Sequence, residues 1–263
     1  MHNFEYHKPS SVDEAVKALG AGEDPTLVAG GMTLIPTMKQ RLAAPSDLVD
    51  LSGVAELVGV SDEGDHVKIG AMTTHAAVAA SSDVPPSLAA LAGNIGDAQV
   101  RNRGTIGGSV ANNDPTACYP SACLALGATI VTTQREIPAD DFFTGMFETA
   151  LEEGEIITAV KFPKPEAGNY QKFENPASRY ALVGVFVAKT KEGVRVAVTG
   201  AGQDGVFRAN DIEQALSSNF SPDAVDSSSI PVDSLNGDIH ASAEYRQHLI
   251  GVMARRAVAA ING

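Results

Sequence analysis

The sequence predicts an α+β protein assembled from three units, and three observations carry that expectation. A β-α-β-α-β pattern fills residues 1–55, a hairpin followed by short helices and further strands occupies residues 56–165, and longer strands take over in residues 170–263. The change of pattern falls at Pro163-Lys164-Pro165-Glu166-Ala167-Gly168-Asn169, a stretch with the composition of a linker.

Taken in order, Asn3 to His7 can open as a strand, and Ser11-Val12-Asp13-Glu14 has the form of a capping box ahead of the stripe Val12, Ala15, Val16 and Leu19. Thr26 to Ala29 is a short apolar strand that breaks at Gly30-Gly31, after which a helix carries Leu34, Ile35, Met38 and Leu42, and Asp47 to Leu51 is extended again. In the second unit, Val58 to Ser61 and His66 to Ala71 bracket the turn Asp62-Glu63-Gly64-Asp65 as a hairpin. Thr73 or Thr74 caps an alanine-rich helix, Pro85-Pro86-Ser87 opens another, and Pro120 to Leu126 forms a third. Ala128 to Thr133 and Glu155 to Phe162 complete its strands, separated by a polar loop whose Phe142, Phe143 and Phe147 are either core anchors or a partner surface. The third unit is a three-stranded antiparallel sheet, Tyr170 to Phe173, Tyr180 to Thr190 and Val194 to Thr199, covered by helices near Ile212 to Leu216 and from about Ser242. The stripe of the last helix includes Tyr245, Leu249, Val252 and Met253.

With 32 acidic against 19 basic residues the formal charge is −13, which disfavours nonspecific attachment to nucleic acid or anionic membrane. No apolar run is long enough for a transmembrane helix, and MHNFEYHKPSS lacks a signal peptide's basic and apolar regions, so a cytoplasmic location is expected. Cys118 and Cys123 make no disulfide framework and at most half a cluster site; any iron–sulfur cluster would sit on a partner. The six histidines show no metal-ligand spacing, and no nucleophilic triad stands out, so no catalytic or metal residue is assigned.

Chemistry concentrates in two glycine loops. Arg101 to Pro115, RNRGTIGGSVANNDP, is expected to place Gly107 and Gly108 in a turn after an extended segment, where residues without Cβ can adopt left-handed conformations and present successive N–H groups. Ser109 and Thr105 add hydroxyls. The Gly30-Gly31 turn, between a strand and a helix beginning around Thr33, is a phosphate-binding arrangement. Two such loops fit one ligand with two phosphates, or two neighbouring phosphates gripped from both sides. A third glycine string, Gly200-Ala201-Gly202-Gln203-Asp204-Gly205, matches GxGxxG but follows an antiparallel strand and opens no helix, so it is a turn.

The strings AGGMTLIPTMKQRL and RNRGTIGGSVANNDPTACYP resemble the two FAD-binding motifs of the flavin-carrying medium subunits of molybdenum hydroxylases, the family of carbon monoxide dehydrogenase and the xanthine dehydrogenase flavin domain. FEYHKPSSVDEAVKAL, DLVDLS, KIGAMTTHAAV, KFENPASRYALVGV and SAEYRQHLIGVMARRAV extend the resemblance collinearly over essentially the whole chain. It implies a two-subdomain FAD-binding fold of the vanillyl-alcohol-oxidase type, with Ala29, Gly30, Gly31, Met32, Thr33 and Leu34 cradling the diphosphate opposite Thr105, Ile106, Gly107 and Gly108. In the family, histidine is common at the position of Met32 and a flavin-contacting aspartate at that of Cys118; Asp114 is a nearby substitute contact, and Cys118 is otherwise a small buried residue. Lys172 matches a basic position near the isoalloxazine, its plainer role being a strand-edge lysine, and Arg179 and Tyr180 flank the same cleft.

The function so implied is electron transfer through FAD within a dimer of heterotrimers. A large molybdopterin subunit would oxidise substrate, a small subunit with [2Fe–2S] clusters would deliver the electrons to this chain, and an external acceptor would take them away. Two rivals are a stand-alone flavin oxidase or reductase of the same fold and an apo scaffold that lost its cofactor with the changes at Met32 and Cys118.

Overall fold

The computed structural model describes all residues 1–263. The first unit contains β1 (Glu5–His7), α1 (Val12–Leu19), β2 (Pro25–Val28), α2 (Leu34–Lys39) and β3 (Asp47–Asp50), and its parallel sheet has the order β1-β3-β2. The Ser11 hydroxyl accepts from the Glu14 N–H, as a capping box requires, but the returning Glu14 carboxylate takes the N–H and hydroxyl of Ser10 instead. α2 stops at Lys39 and Arg41 turns left-handed at φ 62°, so Leu42 lies beyond the helix and is 76% exposed rather than on its buried face.

The second unit begins with the hairpin β4 (Val60–Asp62) and β5 (His66–Gly70), followed by α3 (His75–Ala80), which Thr74 caps through its hydroxyl, and α4 (Pro86–Gly93). Next come α5 (Ala98–Arg103), α6 (Ile106–Asn112) and α7 (Tyr119–Leu126), then β6 (Thr129–Thr132) and β7 (Glu136–Pro138). α8 (Ala139–Phe142), the small hairpin β8 (Phe143–Gly145) and β9 (Glu148–Thr149), and β10 (Ile157–Pro163) complete it. Its sheet has the order β4-β5-β10-β6-β7, with β10 antiparallel to both neighbours. The polar loop holding the three phenylalanines is therefore structured: Phe142 is fully buried, whereas Phe147 is exposed.

Only residues 164–166 separate β10 from β11 (Ala167–Glu174), so most of the expected linker is strand. β12 (Ala181–Thr190), β13 (Gly193–Gly202) and β14 (Gly205–Arg208) follow, an antiparallel meander with one strand more than the sequence indicated. The GxGxxG string is the end of β13 and the tight turn into β14, with Gly202 paired to Gly205. α9 (Asn210–Ser218) and α10 (Ala243–Asn262), capped by the Ser242 hydroxyl, pack on one face of this sheet around Val183, Val185, Ile250 and Met253. The opposite face joins the larger core: Tyr170, Phe186, Ala188 and Ala197 pack with Leu88, Tyr119, Cys123 and Phe162 of the second unit. No helix is long and apolar enough to cross a membrane.

Candidate functional site

A cleft of about 570 Å³ runs between all three units, lined by residues from Leu19 to Leu34, from Ala71 to Cys118, from Leu151 to Ile157 and from Lys172 to Tyr180. Ala29, Gly30, Gly31, Met32, Thr33, Leu34, Thr105, Gly107, Gly108, Asp114, Cys118 and Lys172 all border it. Ile106 does not; it is fully buried in the core beneath.

The two glycine loops touch, and the first crosses the second where Gly30 lies on Arg103 and Gly104. A Cβ on Gly30 would meet the Arg103 carbonyl oxygen and come within 2.8 Å of the Gly104 Cα. Gly107 is equally confined, since its Cβ would be 2.5 Å from that of Ala71. These glycines permit close backbone packing, and only Gly31, at φ 71°, uses the left-handed region.

The donors divide unequally. In the second loop the segment before the glycines is α5, not an extended stretch, and Gly107 and Gly108 belong to the first turn of α6. There the Ile106 N–H donates to Thr73 O at 3.1 Å, that of Gly107 to Ala71 O at 2.8 Å and that of Gly108 to the Thr105 hydroxyl at 3.2 Å. These bonds anchor the helix start and leave no nest. In the first loop the N–H groups of Gly30, Gly31, Met32, Thr33 and Leu34 donate to nothing in the protein. Thr33 precedes α2 without a side-chain cap bond, so its hydroxyl adds to the row. Successive free N–H groups around a left-handed glycine form an anion cradle.

At the other end, the Asp114 carboxylate accepts from the Thr116 N–H at 2.8 Å and hydroxyl at 2.6 Å, shaping the turn that leads to Cys118. Thr199 of β13 secures that turn from behind, donating to Pro115 O and Ala117 O. Cys118 is buried, beside the Tyr170 hydroxyl at a geometry short of a hydrogen bond, and burial pushes its thiol pKa up against the opposing pull of Lys172. Lys172 Nζ donates to Asn94 O at 2.5 Å and Arg179 O at 3.0 Å, tying the end of α4 to the β11–β12 turn. Arg179 there is left-handed at φ 62°, and Tyr180 forms a half-exposed wall whose hydroxyl pKa is raised by burial and then by Asp114.

His75 escaped the sequence reading. It lines the cleft at 4% exposure, with its ring 5.4 Å from that of Tyr119 and its Nδ1 without a partner. Thr74 marked the helix start, but nothing in the local pattern says that its first residue faces inward.

Comparison with known proteins identifies the family of the chain. A family described as FAD binding domain in molybdopterin dehydrogenase matches residues 2–165. The carbon monoxide dehydrogenase medium chain of Hydrogenophaga pseudoflava is 36% identical, over 97% of this chain and 96% of the relative. The nicotine 6-hydroxylase medium subunit of Paenarthrobacter nicotinovorans is 37% identical over 96% and 95%. Among solved structures, carbon monoxide dehydrogenase from Hydrogenophaga pseudoflava superposes with a TM-score of 0.91 at 36% identity, covering 98% of this chain and 97% of that one. Quinoline 2-oxidoreductase from Pseudomonas putida 86 reaches a TM-score of 0.89 at 28% identity, covering 98% and 96%. With a full-length match in both sequence and fold, the chain belongs to the FAD-binding medium subunits of the molybdenum hydroxylase family.

Proposed function

We propose that this chain holds FAD in the interloop cleft, accepts electrons from [2Fe–2S] clusters of a small partner subunit and passes them to an external acceptor. Substrate oxidation would belong to a large molybdopterin subunit, in a cytoplasmic dimer of heterotrimers. The observation that carries the reading is the unbroken row of free N–H groups from Gly30 to Leu34, because a diphosphate supplies the acceptors that such a row lacks. The cleft volume lies in the range of cofactor sites.

The residues divide the work. Ala29 to Leu34 grip the diphosphate; Thr105, Gly107 and Gly108 form the facing wall; Ile106 acts from beneath, and its N–H and that of Gly107 fix α6 against residues 71–73. Asp114, Cys118, Lys172 and Tyr180 enclose the isoalloxazine end. Bound FAD supplies reversible one- and two-electron chemistry, and the protein tunes it by charge and hydrogen bonding. The Lys172 ammonium favours added negative charge nearby, whereas burial keeps the Cys118 thiol neutral. Units 1–55, 56–165 and 170–263 each give one wall.

The test is the visible spectrum and subunit pattern of the material purified through a tag on this chain. Flavin and iron–sulfur absorbance with two further bands is expected. A yellow single chain with its own substrate activity would favour a stand-alone flavoenzyme, and a colourless chain that takes up no added FAD would remove the flavin assignment.

A further inference from the structure

The β8–β9 hairpin ends in Met146 and Phe147, 42% and 54% exposed. Phe147 has φ 58°, a conformation that glycine or asparagine adopts readily and a bulky side chain adopts at a cost. Buried Asn113, at the C-terminal end of α6, clamps the turn: its Nδ2 donates to Gly145 O at 2.9 Å and Glu148 O at 2.8 Å, and its backbone carbonyl accepts from the Phe147 N–H at 3.2 Å. An aromatic residue is thus held about half exposed on a strained backbone, with only partial burial inside the chain to offset the strain. Such conflicts between local preference and structure mark functional positions.

We propose that Met146 and Phe147 anchor a docking surface for the iron–sulfur subunit, with Phe147 entering an apolar pocket rimmed by lysine or arginine; this rests on the electron-transfer reading above. Two observations select that occupant. The knob is bordered by the exposed carboxylates Glu148 and Asp204, the latter carried on the β13–β14 turn whose Gly205 lies against Gly145 and Met146, so a basic rim complements it. A second copy of this chain, with the same acidic border and a formal charge of −13, would repel it. The Phe147 N–H bonds the Asn113 carbonyl, and the next residue, Asp114, lines the cleft on the segment that leads to Cys118, so the turn of the knob joins the cleft wall at Asp114. A partner seated there delivers electrons at the isoalloxazine end. Rigidity imposed by Asn113 lowers the ordering cost of binding, as preorganised anchors do.

The test compares wild type with Phe147→Asn, coexpressed with both partner subunits and purified through a tag on this chain. Two quantities are read: the dissociation constant for the purified iron–sulfur subunit and the thermal midpoint of the free chain. Asparagine tolerates the left-handed backbone, so the free chain should melt no lower than wild type, while the dissociation constant rises at least about tenfold. A purely structural Phe147 would give the opposite pair of results, a lower midpoint with unchanged affinity, and would overturn the proposal. So would loss of the large subunit with the iron–sulfur subunit retained. A wild-type chain that binds neither subunit overturns the electron-transfer reading itself, and this surface with it.

Discussion

At Gly30 the constraint is another stretch of backbone. The Arg103 carbonyl occupies the place of a Cβ, and carbonyl oxygens of a helix end cannot swing aside as a flexible side chain can. Gly30→Ala should therefore separate the two loops, destabilise the chain by about 1–3 kcal/mol and lower the flavin bound per chain. Gly108→Ala is the control. Its Cβ would meet the Thr105 hydroxyl oxygen at 3.0 Å and the Ala29 Cβ at 3.4 Å, and the position is helical, so alanine's helix propensity offsets part of the crowding. Urea midpoints and flavin-to-protein absorbance ratios of the two variants check the order. Both glycine pairs were visible in the sequence, but their reasons were not. The contact between Gly30 and Arg103 joins positions far apart in the chain, and no local pattern encodes it. Lys172 illustrates the same limit: its strand was legible, its commitment to two backbone carbonyls was not.

Helices whose first turns carry a polar cap were the most legible elements: Ser11 and Thr74 each make the expected bond, and Ser242, where the last helix was expected to start, caps it as well. Elements too short for periodicity escaped, among them β7, β8 and β9, and α5, which Asp97 caps by accepting from the Val100 N–H. α3 and α7 meet at His75 and Tyr119, and that seam gives the protein an acid sensitivity. Burial, assisted by the Arg101 guanidinium, lowers the His75 pKa to about 4. An unfolded histidine titrates near 6.5, so between about pH 6.5 and 4 the unfolded chain binds a proton that the native chain refuses. Stability contributed by neutral His75 is therefore whole above about pH 6.5, falls as pH drops towards 4, and changes no further below that. His75→Phe keeps a ring against Tyr119 and removes the titration. Its denaturation midpoint should fall less than that of wild type across this window, measured by urea unfolding at a series of pH values.

Over the whole molecule, the family match ends at residue 165, where the sequence also changes pattern, yet the packing does not divide there. Tyr170, Phe186, Ala188 and Ala197 fill the second unit's core from the C-terminal sheet, and Thr199 holds the Pro115 and Ala117 carbonyls of the cleft turn. Arg195 adds a charged tie, its Nε donating to Leu124 O at 2.8 Å and its Nη2 to the Asp140 carboxylate. The run of proline, glycine and charge from Pro163 to Asn169 leads from the end of the central strand β10 into the edge strand β11 and is only partly buried, so its linker composition reports partial exposure rather than independence. Cutting after Pro165 would strip the apolar cover from Leu88, Tyr119, Cys123 and Phe162 together. Several large side chains losing burial at once, each worth roughly 1.5–3 kcal/mol, would consume the whole stability margin of an ordinary domain. A chain of residues 1–165 should accordingly show no cooperative thermal transition and retain no FAD, even though it contains both glycine loops. Full-length protein, by contrast, should gain about 2.7 kcal/mol when free FAD is held at a hundred times its dissociation constant. Calorimetry of both chains with and without FAD makes the comparison; a cooperative, flavin-stabilised transition in the short chain would show that the C-terminal sheet merely rests against an independent core.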